Sequence, residues 1–388
     1  WEQRKLGSIG STYTGLSGKT KEDFGHGEAQ YITYLNVFQN TVSDITMTDK
    51  VEIDTTQNEV KYGDVLFTTS SETPEEVGMS SVWLGHMPNI YLNSFCFGFR
   101  PNQKIDPYFL GYSLRAPYMR DKIKILAQGI SRYNISKNKV MELEISLPNN
   151  EEQRLLGNFL RNIDLSITLH QRKLDNLKLK KKALLQKLFP KNGERYPELR
   201  FPGFTDAWEQ RKANYIFNSV TDKGYPELPV LSASQELGMV YRDQNGIDIQ
   251  HDKKNETSYK RVLPGQFVIH LRSFQGGFAY SEVEGITSPA YTVMSFKNSS
   301  EQYGLFWKHV FKSETFIKRL ETITYGIRDG RSISFSDFKS LILQYPSFSE
   351  QKLIGGSIEI IESGITLHQR KLEHLKLQKK ALLQQMFV

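Results

Sequence analysis

Few residues in this chain have the types and spacing that nucleotide chemistry would require. The sequence GLSGKT at 15–20 resembles the end of a phosphate-binding loop, in which backbone amides and a lysine hold phosphate groups. The full motif requires a glycine five residues before Gly18, where this chain has Tyr13, and no apolar strand precedes it. We therefore predict that 15–20 is an ordinary loop in which Lys19 is exposed.

Other reactive side chains also lack partners at useful spacing. The sequence has no dinucleotide-binding turn, no nucleophile elbow and no cluster of His and Cys at metal-ligand spacing. The single cysteine, Cys96, lies in the aromatic run NSFCFGF, which indicates a core position and a reducing, cytoplasmic setting. No apolar run approaches the length of a membrane span. We predict no catalytic residue, no metal site and no membrane association.

Two histidines, His170 and His368, differ from the others because each lies in the middle of the same eight residues, ITLHQRKL. The match extends over 167–189 and 365–387, where 18 of 23 positions agree without a gap. The sequence WEQRK, at the start of the chain, recurs at 208–212. The chain is therefore an internal duplication of roughly 200 residues, far longer than solenoid repeats.

The elements that carry these histidines have apolar residues at alternating spacings of four and three, which is typical of a coiled coil. The predicted seam consists of Leu156, Leu160, Ile163, Ile167, His170, Leu174, Leu177, Leu184 and Leu188 in the first copy, and of Ile354, Ile358, Ile361, Ile365, His368, Leu372, Leu375, Leu382 and Met386 in the second. Lys181 and Lys379 occupy the remaining seam positions. Histidine at a core position would set register at some cost in stability. Because neither seam can stand alone, we predict an antiparallel pair within one molecule.

The segments before each helix contain short alternating runs such as GDVLFTT and QFVIHL, punctuated by Gly, Asn and Pro, which indicate strands. We predict an α/β (α+β) fold with two β-rich globular domains joined by two long helices. The predicted boundaries are 1–150 for the first domain, 151–189 for the first helix, 190–207 for a linker, 208–348 for the second domain and 349–388 for the second helix.

The net charge of +7 lies on the helices. The segments 151–189 and 349–388 together hold 15 Lys/Arg and 8 Asp/Glu, which accounts for the whole excess. The two globular domains are therefore close to neutral. The positive charge suggests a polyanionic partner, and its distribution places the excess on the segments that carry the repeat.

This layout resembles the specificity subunit of a type I restriction-modification system. The duplicated helix begins after P…EQ and ends in KKALLQ, and ELRFPGF before WEQRK and GDVLFTTSSETPEEVG are similar to segments typical of that family. The resemblance covers essentially the whole chain, except that no ELRFPGF-like leader precedes Trp1, which favours a natural N-terminus further upstream. It implies that each domain is a target recognition domain for one half of a split DNA site.

The resemblance also implies the partners. The paired helices would set the spacer between the half-sites and dock two methyltransferase subunits, which restriction/translocase subunits join. The chain itself would hold no cofactor, and S-adenosylmethionine, ATP and Mg would be bound by those partner subunits.

Polar or basic residues at loop tips after strands are the candidates for contact with double-stranded DNA, because they can reach base edges. They are Lys19, Thr69, Ser70, Ser71, Arg132 and Tyr133 in the first domain, and Lys223, Arg272, Ser273, Gln275, Arg328 and Arg331 in the second. For each of them, an ordinary solvated loop residue is the alternative.

Two other functions are compatible with the sequence. One is a coiled-coil scaffold whose two domains bind protein or carbohydrate without any DNA role, and the other is an enzyme whose site is hidden in the divergent domains. Four leucines off the seam, Leu179, Leu185, Leu377 and Leu383, are predicted to be exposed, which favours partner docking, although they could equally cover the flanks of the seam.

Overall fold

The computed structural model describes residues 1–191, 193–234, 237–242, 253–270, 277–321 and 333–387. The chain divides into two compact units. The first unit comprises Trp1–Arg172 and Gln369–Val388, and the second comprises Lys173–His368. Each unit therefore contains one β-rich domain, the beginning of one long helix and the end of the other. The five segments given above from the sequence assign domains and helices to separate stretches of the chain, and this division remains a prediction.

The first β-rich domain is built from short strands and helices followed by one long helix. In chain order these are β1 Glu2–Lys5, α1 Leu6–Ile9, β2 Gly10–Thr14, β3 Phe24–Ile32, α2 Tyr34–Gln39, β4 Thr48–Val51, β5 Val65–Thr68, β6 Ser70–Ser71, β7 Ser80–Val82, β8 Ile90–Leu92, β9 Cys96–Pro101, α3 Pro107–Arg115, α4 Pro117–Ile125, β10 Tyr133–Asn134, α5 Lys137–Met141, β11 Glu144–Leu147 and the long helix α6 Asn150–Lys187.

The central sheet of the first domain is antiparallel, with strand order β2-β9-β5-β7. A second sheet has the order β4-β3-β8, and β1 pairs with β11. Val65 and Phe67 of β5 pack in the core that also holds Leu160 of α6, whereas Leu66 packs in a separate cluster with Trp83. Because successive side chains of a strand point to opposite faces, both faces of the central sheet are covered.

The second β-rich domain has a similar set of elements. They are β12 Glu209–Lys212, α7 Ala213–Ile216, β13 Phe217–Val220, β14 Leu231–Ser234, β15 Gly238–Tyr241, β16 Lys260–Val262, β17 Phe267–Ile269, β18 Phe278–Tyr280, β19 Gly285–Thr287, β20 Thr292–Phe296, α8 Gly304–Lys312, α9 Glu314–Glu321, α10 Phe335–Phe338, β21 Ile342–Tyr345 and the second long helix α11 Phe348–Met386. Short 3-10 helices lie at Lys21–Asp23 and Lys253–Ser258.

The second domain repeats the plan of the first although most of its sequence differs. Its central sheet has the order β13-β20-β17-β18, and β12 pairs with β21 as β1 pairs with β11. Phe267 and Ile269 of β17 pack in the core that holds Ile358 of α11, and Val268 packs in a separate cluster with Val262. In both domains, alternate side chains of one central strand, β5 or β17, therefore point to the core that holds the long helix.

A buried glutamine fixes the start of each long helix. The Gln153 side chain donates to the carbonyl of Pro148 (2.8 Å) and accepts from the backbone N–H of Asp106 (3.0 Å). Gln351 makes the equivalent two bonds at the start of α11. The glutamine of the repeated P…EQ motif thus ties the first turn to the start of α3 or α8.

A glycine one turn further on lets each long helix approach that neighbouring helix closely. A Cβ at Gly157 would lie 2.7 Å from the backbone nitrogen of Phe109, and a Cβ at Gly355 would lie 2.7 Å from that of Phe306. Distances below 3.0 Å are not tolerated between a Cβ and backbone. The repeated glycine is therefore required by packing.

The first long helix ends before the aromatic residue that the sequence placed within it. Its last residue is Lys187, and Leu188 and Phe189 follow as buried residues outside the helix. The Phe189 ring meets the Trp208 ring edge-on, with centroids 6.1 Å apart. Burial of these side chains in the second core ends the helix there.

The apolar stretches before each long helix form pairs of short helices. In the first domain the break falls at Ala116, whose ψ of 146° is extended. Pro117 follows it, and proline disfavours a helical conformation in the preceding residue. Among the described residues, no helix combines the length and apolar character needed to cross a membrane.

Candidate nucleic-acid interface and helix seam

The predicted seam residues lie on the inward faces of α6 and α11, except Leu188, which follows the last residue of α6. None of them is exposed. In the first unit, Leu160 and Ile163 of α6 share a core with Leu382 and Met386 at the end of α11 and with Phe387, which follows that helix. The start of one helix therefore packs against the end of the other, which is the antiparallel arrangement.

The second unit shows the same arrangement with the helices exchanged. Leu184, near the end of α6, packs with Ile354 and Ile358 at the start of α11. The Leu177 side chain lies 3.4 Å from the position that a Cβ at Gly364 would occupy. His170 and His368 are half-buried, and their role in setting register remains a prediction.

The two lysines of the seam form ion pairs across the helix pair. In the first unit, the Lys379 ammonium lies 2.6 Å from a carboxylate oxygen of Asp164. Asp164 also accepts a hydrogen bond from the hydroxyl of Tyr112 in α3 (2.7 Å). Burial and the charge of Asp164 raise the pKa of Tyr112, so the hydroxyl stays a donor.

The second unit has the equivalent ion pair, between Lys181 and Glu362, at 2.6 Å. Burial alone would raise the pKa of Glu362, but the hydrogen bond from Lys181 and nearby positive charges hold it below its ordinary value. His309 of α8 takes the place of Tyr112, and burial lowers its pKa to about 3. Its Nε2 is buried and has no hydrogen-bond partner.

His309, Glu359 and Glu362 form a group with metal-ligand chemistry in the described part of the chain. Both carboxylates are already engaged by ammonium groups, because Lys308 lies 3.0 Å from Glu359 and Lys181 lies 2.6 Å from Glu362. Positive charges at these distances oppose a divalent cation. The geometry is that of a partly buried ion network joining α8 to the helix pair.

The four off-seam leucines divide into two pairs. Leu179 and Leu377 are 66% and 68% exposed. Leu185 and Leu383 are not exposed, because they pack against the cores of the second and first units. The expectation of exposure was therefore wrong for Leu185 and Leu383, whose positions near the helix ends face the domains.

Several predicted DNA-contacting residues of the first domain meet at one place. Strand β10 pairs with β6, with Tyr133 opposite Ser71. The Thr69 hydroxyl donates to the carbonyl of Phe95 (2.7 Å), and the Arg132 guanidinium lies 5.7 Å from the centroid of the Phe95 ring. We call Thr69, Phe95, Arg132 and Tyr133 the hairpin patch. It combines a cation, a hydroxyl and two aromatic rings at the surface.

Three other candidates of the first domain are less accessible than the sequence suggested. Ser70 and Ser71 are buried in β6, because that strand is covered by β10 and by Tyr34, whose hydroxyl donates to the Ser70 carbonyl (2.6 Å). Lys19 is not the exposed loop cation that was expected: its ammonium lies 2.8 Å from Asp54. That hydrogen bond raises the pKa of Lys19 and lowers the pKa of Asp54.

In the second domain, Lys223 is exposed and pairs through its backbone with Lys260 of β16. Burial, and then the charge of Lys223, lowers the pKa of Lys260. Two neighbouring cations of this kind favour an anion such as a phosphate. The remaining candidates lie outside the described residues: Arg272, Ser273, Gln275, Arg328 and Arg331.

Sequence reasoning missed Phe95, which is 54% exposed although the run NSFCFGF indicated core. The neighbouring Cys96 is buried as expected, and burial raises the pKa of its thiol. The signal was Asn93, whose side chain accepts from the Phe95 N–H (2.9 Å) and makes a turn that presents the ring to solvent.

The comparisons with known proteins agree with this architecture. The family model of the type I restriction modification DNA specificity domain matches residues 1–179. The chain is also 23% identical to the putative type I restriction enzyme MjaX specificity subunit of Methanocaldococcus jannaschii, over 99% of this chain and 92% of that protein.

Solved structures also match this chain over its whole length. The S subunit of a type I restriction-modification system from M. genitalium matches with a TM-score of 0.61 and 14% identity, over 100% of this chain and 96% of that one. The HsdS subunit from Thermoanaerobacter tengcongensis matches with a TM-score of 0.47 and 16% identity, over 100% and 95%. The first of these confirms the predicted fold of two β-rich domains and two long helices. Residues 1–179 therefore match the type I restriction modification DNA specificity domain, and the whole chain is similar to specificity subunits in sequence and in fold.

Proposed function

We propose that this chain recognises a split DNA sequence, one half with each β-rich domain, and that the paired helices set the gap between the halves. The observation that carries the proposal is the contrast between divergent domains and near-identical helices, whose ion pairs Lys379–Asp164 and Lys181–Glu362 occupy equivalent positions of the two repeats. A target with two different halves at a fixed separation needs variable recognition domains attached to a constant pair of helices. We call α6 and α11 together the frame.

The length of the helices limits the gap. Helix α6 has 38 residues and is about 57 Å long at about 1.5 Å per residue. That length corresponds to about 17 base pairs at about 3.4 Å per step, an upper limit on the separation that the frame can set.

We propose further that each unit docks one methyltransferase subunit on an exposed apolar face of its long helix. On α6, Leu155 and Leu169 are 60% and 64% exposed, and on α11 their repeat equivalents Leu353 and Leu367 are 45% and 64% exposed. Apolar residues that recur on an outward helix face favour a protein partner. Because the same face occurs twice, it suits two copies of the same partner.

In this proposal the partners supply the chemistry and much of the affinity. S-adenosylmethionine is held by the methyltransferase subunits, and ATP and Mg by the restriction/translocase subunits that join them. The near-neutral domains of this chain contribute selectivity, so the chain alone binds DNA weakly and the assembled complex binds a defined site tightly.

The function is tested by expressing the chain with the protein encoded by its genomic neighbour and mapping adenine methylation on random DNA. We expect methylation at one two-part motif with a fixed gap. A neighbour without a methyltransferase motif, or methylation without sequence preference, would contradict the proposal and favour the scaffold that binds protein or carbohydrate.

The docking face is tested separately by the stoichiometry of the complex. We expect Leu169→Glu or Leu367→Glu alone to leave one methyltransferase copy bound, and the double variant to leave none, by native mass spectrometry. The matched comparison is Leu179→Glu with Leu377→Glu, which changes the exposed leucines that the sequence also favoured for docking. We expect this variant to keep both methyltransferase copies, and equal loss would contradict the assignment of docking to the face with Leu169 and Leu367.

A further inference from the structure

A hairpin in the first unit presents one isoleucine almost entirely to solvent. Gln128 and Asn134 exchange backbone hydrogen bonds of 2.9 and 2.8 Å and close the hairpin. Between them, Ile130 is 96% exposed. Gly129 has a φ of 145°, and a Cβ there would lie 2.0 Å from the carbonyl oxygen of Arg132, so the tight turn requires glycine.

The surroundings of this isoleucine favour a polyanion. Residues 122–141 contain five Lys/Arg and no Asp/Glu, although the domain as a whole is close to neutral. Arg132 lies two residues from Ile130 and belongs to the hairpin patch. A single exposed apolar residue is ordinary on a protein surface, but here it stands at the tip of the basic stretch.

The duplication supplies an independent observation from sequence. The pair Gly129-Ile130 in GISRYNIS recurs as Gly326-Ile327 in YGIRDGRSIS, within an otherwise divergent domain. The second pair lies outside the described residues, so only its sequence enters the argument. Two domains that recognise different bases have no reason to share a base-specific contact. A shared apolar residue before an arginine therefore indicates a task that is the same at both half-sites.

We propose that Ile130 inserts between adjacent base pairs of the bound DNA and unstacks them, while Arg132 holds the neighbouring backbone. Apolar side chains of this size act as wedges that open a base step and kink the duplex, and basic neighbours offset the repulsion between phosphates. The distortion depends on how easily a step deforms, so the wedge adds selectivity without a hydrogen bond to a base. This inference rests on the proposed function, because it needs a bound DNA target.

The test uses the complex with the methyltransferase on its mapped target, with 2-aminopurine placed at successive positions of the half-site read by the first unit. At saturating protein, we expect fluorescence to rise at one base step and at the methylated adenine, which methyltransferases flip out of the stack. Ile130→Ser should abolish the first rise, keep the second and weaken binding about tenfold. Ile130→Leu should keep both.

The control is Ile125→Ser, which removes another highly exposed isoleucine of the same domain, 81% exposed at the end of α4. It should leave fluorescence and affinity unchanged, and thermal unfolding should show that both serine variants are folded. An unchanged unstacking signal in Ile130→Ser would overturn the proposal. So would the same loss of affinity when uracil replaces thymine in wild-type DNA, because Ile130 would then contact a thymine methyl group. Absence of a defined target for the wild-type complex would instead refute the proposed function, and the wedge with it.

Discussion

The two units share an ion pair between the long helices, but each places a different domain residue beside it. Each seam lysine pairs with an acid of the opposite helix, Lys379 with Asp164 and Lys181 with Glu362. In the first unit the acid also accepts from a tyrosine hydroxyl, whereas in the second a buried histidine lies beside it with an Nε2 that has no hydrogen-bond partner. An ion pair between the helices is therefore present in both units, whereas the domain residue that lies beside it differs.

This difference shows which contacts define the frame. Tyr112 and His309 are the sixth residues of α3 and α8, the helices that pack on the long pair. One closes the network with a hydrogen bond, and the other is held neutral by burial and leaves a nitrogen unsatisfied. The ion pairs between the long helices are thus common to both units. The residue of α3 or α8 that lies beside each pair differs between the two domains.

The largest effect is expected from reversing a seam charge. Lys181→Glu would bring a second carboxylate against Glu362, and we expect it to lower the free energy of unfolding by about 2–3 kcal/mol, because the pair is only partly exposed. Lys379→Glu should cost a similar amount. Urea unfolding measures both. Lys379→Glu combined with Asp164→Lys should recover most of the loss, and failure to recover it would show that the ion pair is not what joins the helices.

The next effect is a dependence on pH that belongs to the second unit. His309 has a native pKa of about 3 against an ordinary value of 6.5. At pH values between these two, His309 binds a proton only in the unfolded chain. The free energy of unfolding is therefore undiminished by this residue above pH 6.5, and it decreases by up to about 1.4 kcal/mol per pH unit as the pH falls below that value.

The measurement compares wild type with His309→Leu by urea unfolding between about pH 5 and 6.5, above the ordinary pKa of 4.5 for a glutamate such as Glu362. We expect the wild type to lose more stability than the variant as the pH falls through this window. Parallel curves would show that His309 is not held neutral.

The smallest expected effect is the difference in the free energy of unfolding between a substitution of Tyr112 and one of His309. Tyr112→Phe removes the hydroxyl that donates to Asp164 and should cost about 1 kcal/mol at neutral pH. His309→Leu removes a nitrogen that has no partner, and should change stability by less than about 0.5 kcal/mol. Equal losses from the two substitutions would remove the distinction between the units.

The seam could be predicted from the sequence because its information is local and repeated. Apolar residues at spacings of four and three placed Leu160 and Ile358 inward without any knowledge of their partners. The end of α6 could not be predicted in the same way, because Phe189 leaves the helix to meet Trp208, a residue that lies across the linker.

The candidate DNA contacts were harder to predict because accessibility depends on distant pairing. Lys19 is engaged by Asp54, and Ser71 is covered by Tyr133, and neither partner is apparent from local sequence. Arg132 and Tyr133 lie at the surface as expected because a hairpin with a glycine turn presents its tip. Exposure of Phe95 follows from one asparagine turn.

The most direct test of the account shortens the frame and maps the DNA target. Removal of one heptad from each helix at equivalent positions, 170–176 and 368–374, keeps the docking leucines Leu169 and Leu367 and shortens each helix by about 10 Å, or about three base pairs. Methylation mapping of the complex with this variant should give the wild-type half-sites with a gap about three base pairs shorter. An unchanged gap, or altered half-sites with the original gap, would contradict the claim that the paired helices set the spacing.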